Sequence, residues 1–195
     1  MRATVIVGAA ALAGTLLGGA PAQAATCTAG DPCDTVVTFD ITAGALTITV
    51  PDTATLTTQA PSGTPTTWYA FGQLGAVTVN DLRATDPASW TVTVTNAGGF
   101  THSTTGPAIP NTNVYYCSGN ATATTGDGTF TPGQASPCDP PPPPDGTAIG
   151  TGATAFTHTG GSGINSATWN PSLTVAIPLT AVTGTYTGTI THTVV

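Results

Sequence analysis

The sequence contains no lysine and no glutamate, and charged residues make up only 6% of its 195 positions, against about 25% in an average globular protein. The cations are Arg2 and Arg83, and all nine acids are aspartate. Phosphate neutralisation needs clustered Lys and Arg, so the shortage argues against nucleic acid as a partner. Coiled coils and helical bundles draw on Glu, Lys and Arg, and they are excluded by the same shortage. Acid–base catalysis is disfavoured too, because the titratable inventory is thin, and the expectation is a protein that is not an enzyme. No G-x-S-x-G, H-E-x-x-H or D-x-D-x-D-G run occurs, so the common hydrolase and calcium-loop signatures are missing. Glycosidase chemistry needs two juxtaposed carboxylates. Asp81 and Asp86 are near in sequence, but Asp86-Pro87 reads as a turn. Low charge does not mean disorder here: 39% of residues are hydrophobic and the mean hydropathy is +0.19, enough for a core.

Long apolar runs are missing after the first residues. Residues 1–24 read as a secretory signal peptide: Arg2 is the positive start, residues 5–17 the apolar stretch, and Ala22-Gln23-Ala24 the cleavage site. The apolar stretch falls short of the ~20 residues that a transmembrane helix needs. The expected product is exported, has no transmembrane segment after cleavage, and is secreted, either extracellular or held at the cell wall. Its domain is expected over residues 25–195.

What is abundant is threonine, alternating with apolar residues. In Trp90-Thr91-Val92-Thr93-Val94-Thr95 and in Tyr186-Thr187-Gly188-Thr189-Ile190-Thr191-His192-Thr193-Val194 one face suits a core and the other suits water. Half-exposed antiparallel strands carry this pattern. Strands are expected at 35–42, 45–51, 73–81, 89–97, 113–119, 153–158, 172–178 and 185–194. Gly, Pro, Asn and Asp punctuate between them, as in Thr159-Gly160-Gly161. In Leu74-Gly75-Ala76-Val77 the apolar phase slips by one, which predicts a β-bulge. The fold class is all-β: an antiparallel two-sheet sandwich, Ig-like, of about eight strands. A Gly/Pro-rich stretch at about 122–152, with five consecutive prolines at 140–144, is expected to be a stiff loop insertion within that one domain.

Four cysteines in an exported chain favour disulfides over free thiols. Cys27–Cys33 and Cys117–Cys138 each bracket a loop and are the preferred pairs. A zinc site from them is disfavoured, because no C-x-x-C spacing exists. His102, His158 and His192 could in principle gather a metal. Nothing in their spacing brings them together, and hydrogen-bonded residues at the ends of core faces are the plainer expectation. No metal and no cofactor are expected. Trp68-Tyr69-Ala70-Phe71 sets large rings on both faces of an extended segment. Trp68 and Tyr69 are therefore candidate exposed rings for stacking on sugar or peptide, set against the alternative that they fill the rim of the sandwich.

Trp90-Thr91-Val92 after Asp86-Pro87-Ala88-Ser89, and the closing residues 184–194, resemble the two W-x-L segments of WxL-domain cell-surface proteins. Ala167-Thr168-Trp169 before Leu173-Thr174-Val175-Ala176-Ile177-Pro178 is similar to the strand that precedes the second segment. Val92 stands where that family has Leu, His192 where it has Trp, and Val194 where it has Leu. The resemblance implies an exported protein attached non-covalently to the peptidoglycan of Gram-positive bacteria, with Trp90, Val92, His192 and Val194 as the motif positions. The expected function is a secreted non-catalytic surface module with cell-wall polymer or surface proteins as partners. The alternatives are a secreted polysaccharide-acting enzyme and a structural surface-layer subunit.

Overall fold

The computed structural model describes residues 26–58, 68–138 and 146–195. The expected signal peptide and the proline run lie outside the described residues. The chain falls into two units, Met1–Ile41 and Thr42–Val195.

In the first unit, Cys27 and Cys33 form a disulfide with their Cα atoms 5.8 Å apart. Residues 35–41, expected as a strand, carry no strand structure, and Val36, Val37, Phe39 and Ile41 are exposed.

The second unit is all-β. Its strands are β1 (Leu46–Thr49), β2 (Thr57–Thr58), β3 (Trp68–Gln73), β4 (Val77–Thr95), β5 (Thr101–His102), β6 (Val114–Cys117), β7 (Ala121–Thr125), β8 (Thr129–Pro132), β9 (Thr147–Ala148), β10 (Ala153–Trp169), β11 (Ser172–Ile177), β12 (Tyr186–Thr187) and β13 (Thr191–Val194). The described residues contain no α-helix; a 3₁₀ turn occupies Asn111–Asn113. All pairings are antiparallel.

The larger sheet is organised on β4 and β10, which run side by side for most of their length. At one end the order is β1-β4-β10-β7, and at the other it is β13-β4-β10-β8. The second sheet has the order β2-β3-β11-β6-β9, and β12 with β5 forms a small ribbon. Val77, Val79, Trp90, Val92, Val94, Phe156, Ala167 and Trp169 from the larger sheet share one buried cluster with Val114, Tyr116, Leu173 and Val175 from the second. Two sheets closed on one apolar layer make the expected sandwich.

Several local expectations need correction. Residues 73–81 and 89–97 do not form two strands joined by a turn at Asp86-Pro87; Gln73 ends β3, and residues 77–81 and 89–95 both lie in the single 19-residue β4. Likewise Thr159-Gly160-Gly161 is no turn but part of β10, a strand with four register shifts against β4. Bulges absorb turn-like residues without ending the ladder, because one extra residue bends a strand and leaves the pairing on either side intact. Gly160 and Gly163, at positive φ, supply that freedom. The bulge expected at Leu74-Gly75-Ala76 is instead the connection between β3 and β4, with Gly75 at φ 97°. The 122–152 stretch is not wholly loop: β7 and β8 lie there, running in the same direction one after the other along β10 and both pairing antiparallel with it. Its second disulfide, Cys117–Cys138, is the expected one, with Cα atoms 5.7 Å apart.

Candidate functional site

Strand pairing brings the two motif segments together. On β13 and β4, Val194 lies opposite Val92, Thr193 opposite Thr93, and His192 opposite Val94. Period-two alternation then sends Trp90, Val92, His192 and Val194 inward and the intervening threonines outward. Trp90 and Val92 are buried, and His192 and Val194 are half-buried against the core. The motif side chains therefore line the interior of the sandwich.

Trp90 is held by a polar network. Its Nε1 donates to Asn165 Oδ1 at 2.7 Å, and Asn165 Nδ2 donates to Asp81 Oδ2 at 3.5 Å. Asp81, fully buried, accepts from Arg83 Nε and Nη2, each at 2.8 Å, and from the Arg83 backbone N–H at 3.1 Å. Arg83 Nη2 also donates to the Ser89 carbonyl at 2.7 Å, across the irregular middle of β4. The Arg83 hydrogen bonds hold the Asp81 carboxyl below the ordinary carboxylate range, against a desolvation that pushes the other way. The ion pair, with Asp81 buried and Arg83 partly exposed, stands where the register of β4 against β10 shifts between Asp81 and Thr85. Asp86, the nearest carboxylate in sequence, lies exposed in β4 and takes no part in this pair.

His192 belongs to a second network that joins the sheets. Trp169 Nε1, a donor only, bonds to Tyr116 Oη at 3.1 Å, and His192 Nε2 lies 3.1 Å from the same oxygen. Tyr116 Oη accepts from Trp169 and is bonded to His192 Nε2, the direction of that second bond following the imidazole tautomer, while His192 Nδ1 is buried without a partner. Burial pushes the His192 pKa down to about 4 and raises that of the Tyr116 phenol. Both shifts favour the uncharged forms that this chain of bonds requires.

The other histidines have separate partners. His158, buried and stacked on Phe130 with ring centroids 4.4 Å apart, bonds through Nε2 to the Asp127 carbonyl at 2.8 Å. Gly128 and Gly161 make room for it: a Cβ at Gly161 would stand 2.5 Å from His158 Cε1. His102 Nε2 donates to the Thr183 carbonyl at 3.1 Å, while its Nδ1 accepts from the Thr104 N–H. Among the described residues no group of three or more His, Cys, Asp or Glu is placed to hold a metal ion. Trp68 and Tyr69 sit on β3 opposite Ile177 and Ala176 of β11, and both are half-buried, the Trp68 Nε1 being buried without a hydrogen-bond partner.

The outer face of the larger sheet carries a different chemistry. Register aligns Thr193, Thr93 and Thr154 across β13, β4 and β10, and Thr91, Thr157 and Thr131 across β4, β10 and β8. At the other end the rows are Thr47, Asn80, Ser166 and Thr125, then Thr49, Thr78, Thr168 and Ala123. Hydroxyls pair within these rows, Thr78 with Thr168 at 3.0 Å and Thr125 with Ser166 at 2.8 Å. No charged residue stands in any of the rows. Alternation marked single threonines as outward, but only the pairing of four strands makes them a surface.

No known family model, curated protein or solved structure matches this chain.

Proposed function

We propose that this chain is an exported, non-catalytic surface module that associates non-covalently with cell-wall polymer through the threonine face of its larger sheet. The observation that carries the proposal is the set of uncharged hydroxyl rows on that face. Neighbouring strands are spaced ~4.8 Å apart, so the rows form a regular lattice of groups that both donate and accept. Such a lattice suits a glycan chain, whose own hydroxyls donate and accept along its length. It carries no charge whose desolvation would oppose contact. The motif positions contribute indirectly: Trp90, Val92, His192 and Val194 hold β4 and β13 together, and Thr91 and Thr193 between them form part of the face.

The formal net charge is −7, and the wall of a Gram-positive cell is polyanionic. Long-range electrostatics therefore oppose approach, and adhesion rests on short-range contacts. Co-sedimentation with purified wall tests this. Binding is expected to hold constant or rise with monovalent salt, as screening shortens the repulsion. Replacing Thr91, Thr93 and Thr193 together with Ala should weaken it. If Trp68→Ala or Tyr69→Ala abolishes binding while the threonine variant binds normally, the contact lies on β3 and the threonine face is the wrong surface. No sedimentation at any salt would remove the wall-binding function.

A further inference from the structure

Two exposed loops of the second unit meet at its small ribbon. Residues 103–108 follow β5 and residues 178–185 precede β12, and the ribbon pairs His102 with Tyr186 and Thr101 with Thr187. Ser103–Ala108 and Val182–Thr185 are exposed. The first loop is closed at its base by two main-chain bonds between Phe100 and Ile109. Beyond the ribbon, the Ser103 N–H donates to the Thr185 carbonyl at 2.9 Å.

His102 ties the two loops to each other. Its Nε2 lies 3.1 Å from the Thr183 carbonyl of the second loop, and its Nδ1 lies 3.1 Å from the Thr104 N–H of the first. A carbonyl only accepts and an amide N–H only donates, so the two bonds together fix a neutral imidazole with its proton on Nε2. The ring stands edge-on to Tyr186, with centroids 4.9 Å apart. The Tyr186 hydroxyl in turn accepts from the Val182 N–H and donates to the Val182 carbonyl. The ring fits because its flanks are glycine: a Cβ at Gly106 would stand 2.7 Å from His102 Cγ, and a Cβ at Gly184 would strike Nε2.

We propose that His102 is an acid-released latch between these loops. A second proton on the ring goes to Nδ1, which then points at the Thr104 N–H, donor against donor. The Thr104 hydroxyl, 3.3 Å from Nδ1, can take the new proton, but the Thr104 N–H still loses its acceptor. The main-chain tie between the first loop and the ring is therefore broken. The open form binds the proton and the closed form does not, so acid favours the open loop and neutral pH the closed one. An imidazole is the side chain whose charge ordinarily changes between about pH 5 and 8. Tyr186 is the titratable group that faces the ring, and neither residues 97–126 nor residues 170–195 contain Asp, Glu, Lys or Arg. No counter-charge from these segments offsets the clash.

Amide hydrogen exchange on the complete chain, read residue by residue by NMR between about pH 5 and 8, tests the latch. After correction for the intrinsic pH dependence of exchange, the Thr104 N–H should lose protection by about tenfold towards acid, the order that one lost hydrogen bond implies. The loss should share its midpoint with the His102 imidazole titration in the same samples. Amides of β4 and β11 should stay protected over that range, which separates local opening from loss of stability through His192. At the alkaline end the His102 proton should reside on Nε2. In His102→Phe, which keeps a ring beside Tyr186 and has no nitrogen, Thr104 should exchange fast at every pH. A ring protonated on Nδ1 alone at the alkaline end would overturn the latch. So would Thr104 protection that does not follow the imidazole titration, or a Phe variant that keeps the wild-type pH dependence.

Discussion

The two faces of the larger sheet are built from the same short segments, yet they answer to different physics. On the inner face Trp90, Val92, His192 and Val194 are positioned by burial and by two hydrogen-bond networks. On the outer face Thr91, Thr93 and Thr193 are positioned only by the strands that carry them. A motif of the form aromatic-Thr-aliphatic thus records two requirements at once. Its first and third residues report the core, and its middle residue reports the surface. Changes on the inner face should appear as stability, and changes on the outer face as binding.

The largest effect should come from Trp90→Ala. It removes a buried ring that faces Phe156 at 6.3 Å and Phe130 at 6.4 Å, and large-to-small changes of this kind cost ~3–5 kcal/mol. Urea denaturation should register that loss, and a change below ~1 kcal/mol would place Trp90 outside the core. Asn165→Ala comes next. It strips the acceptor from Trp90 Nε1 and a donor from buried Asp81, and should cost ~1–3 kcal/mol. Asn165→Asp keeps an acceptor for Trp90 but sets a carboxylate beside Asp81, so it should rescue little.

A pH titration separates the second network from the first. His192 titrates near 4 in the folded protein and near 6.5 when unfolded. The unfolded chain therefore binds more protons between those values. Stability from this site is complete above pH 6.5 and is lost as pH falls towards 4, by at most ~3 kcal/mol. His192→Phe should flatten that window in urea melts across pH. Asp81, whose pKa is lowered, acts at more acid pH, where its stabilisation disappears as the carboxylate is protonated. If wild type and His192→Phe fall in parallel between pH 6.5 and 4, the imidazole is not the group responsible.

The inner face was the more legible in sequence. Alternation alone placed Tyr186, Gly188, Ile190, His192 and Val194 on one side, and all five are half-buried while Thr187, Thr189, Thr191 and Thr193 are exposed. Other elements were not legible, for identifiable reasons. Trp68–Gln73 has rings on both sides and no alternation, so β3 gave no period-two signal. The β7–β8 segment contains little but Ala, Thr and Gly apart from Phe130, so hydrophobic periodicity had nothing to register. Residues 35–42 show the converse failure, because alternation states which face would be buried and not whether a partner exists. The Asp81–Arg83–Asn165–Trp90 network joins residues up to 84 positions apart, and only the pairing of β4 with β10 brings them together. The hydroxyl rows escaped for the same reason, being a property of register between strands.

The smallest effects on stability belong to the outer face. Thr91→Ala, Thr93→Ala and Thr193→Ala should each stay within ~0.5 kcal/mol of wild type, as surface changes usually do. That near-neutrality is what makes the decisive measurement possible. The protein with all three threonines replaced by Ala should be compared with wild type for co-sedimentation with purified Gram-positive wall, after urea melts confirm equal folding. The triple variant should remain folded and lose wall binding, while Trp68→Ala keeps it. A folded triple variant that binds wall as well as wild type would contradict adhesion through the hydroxyl rows.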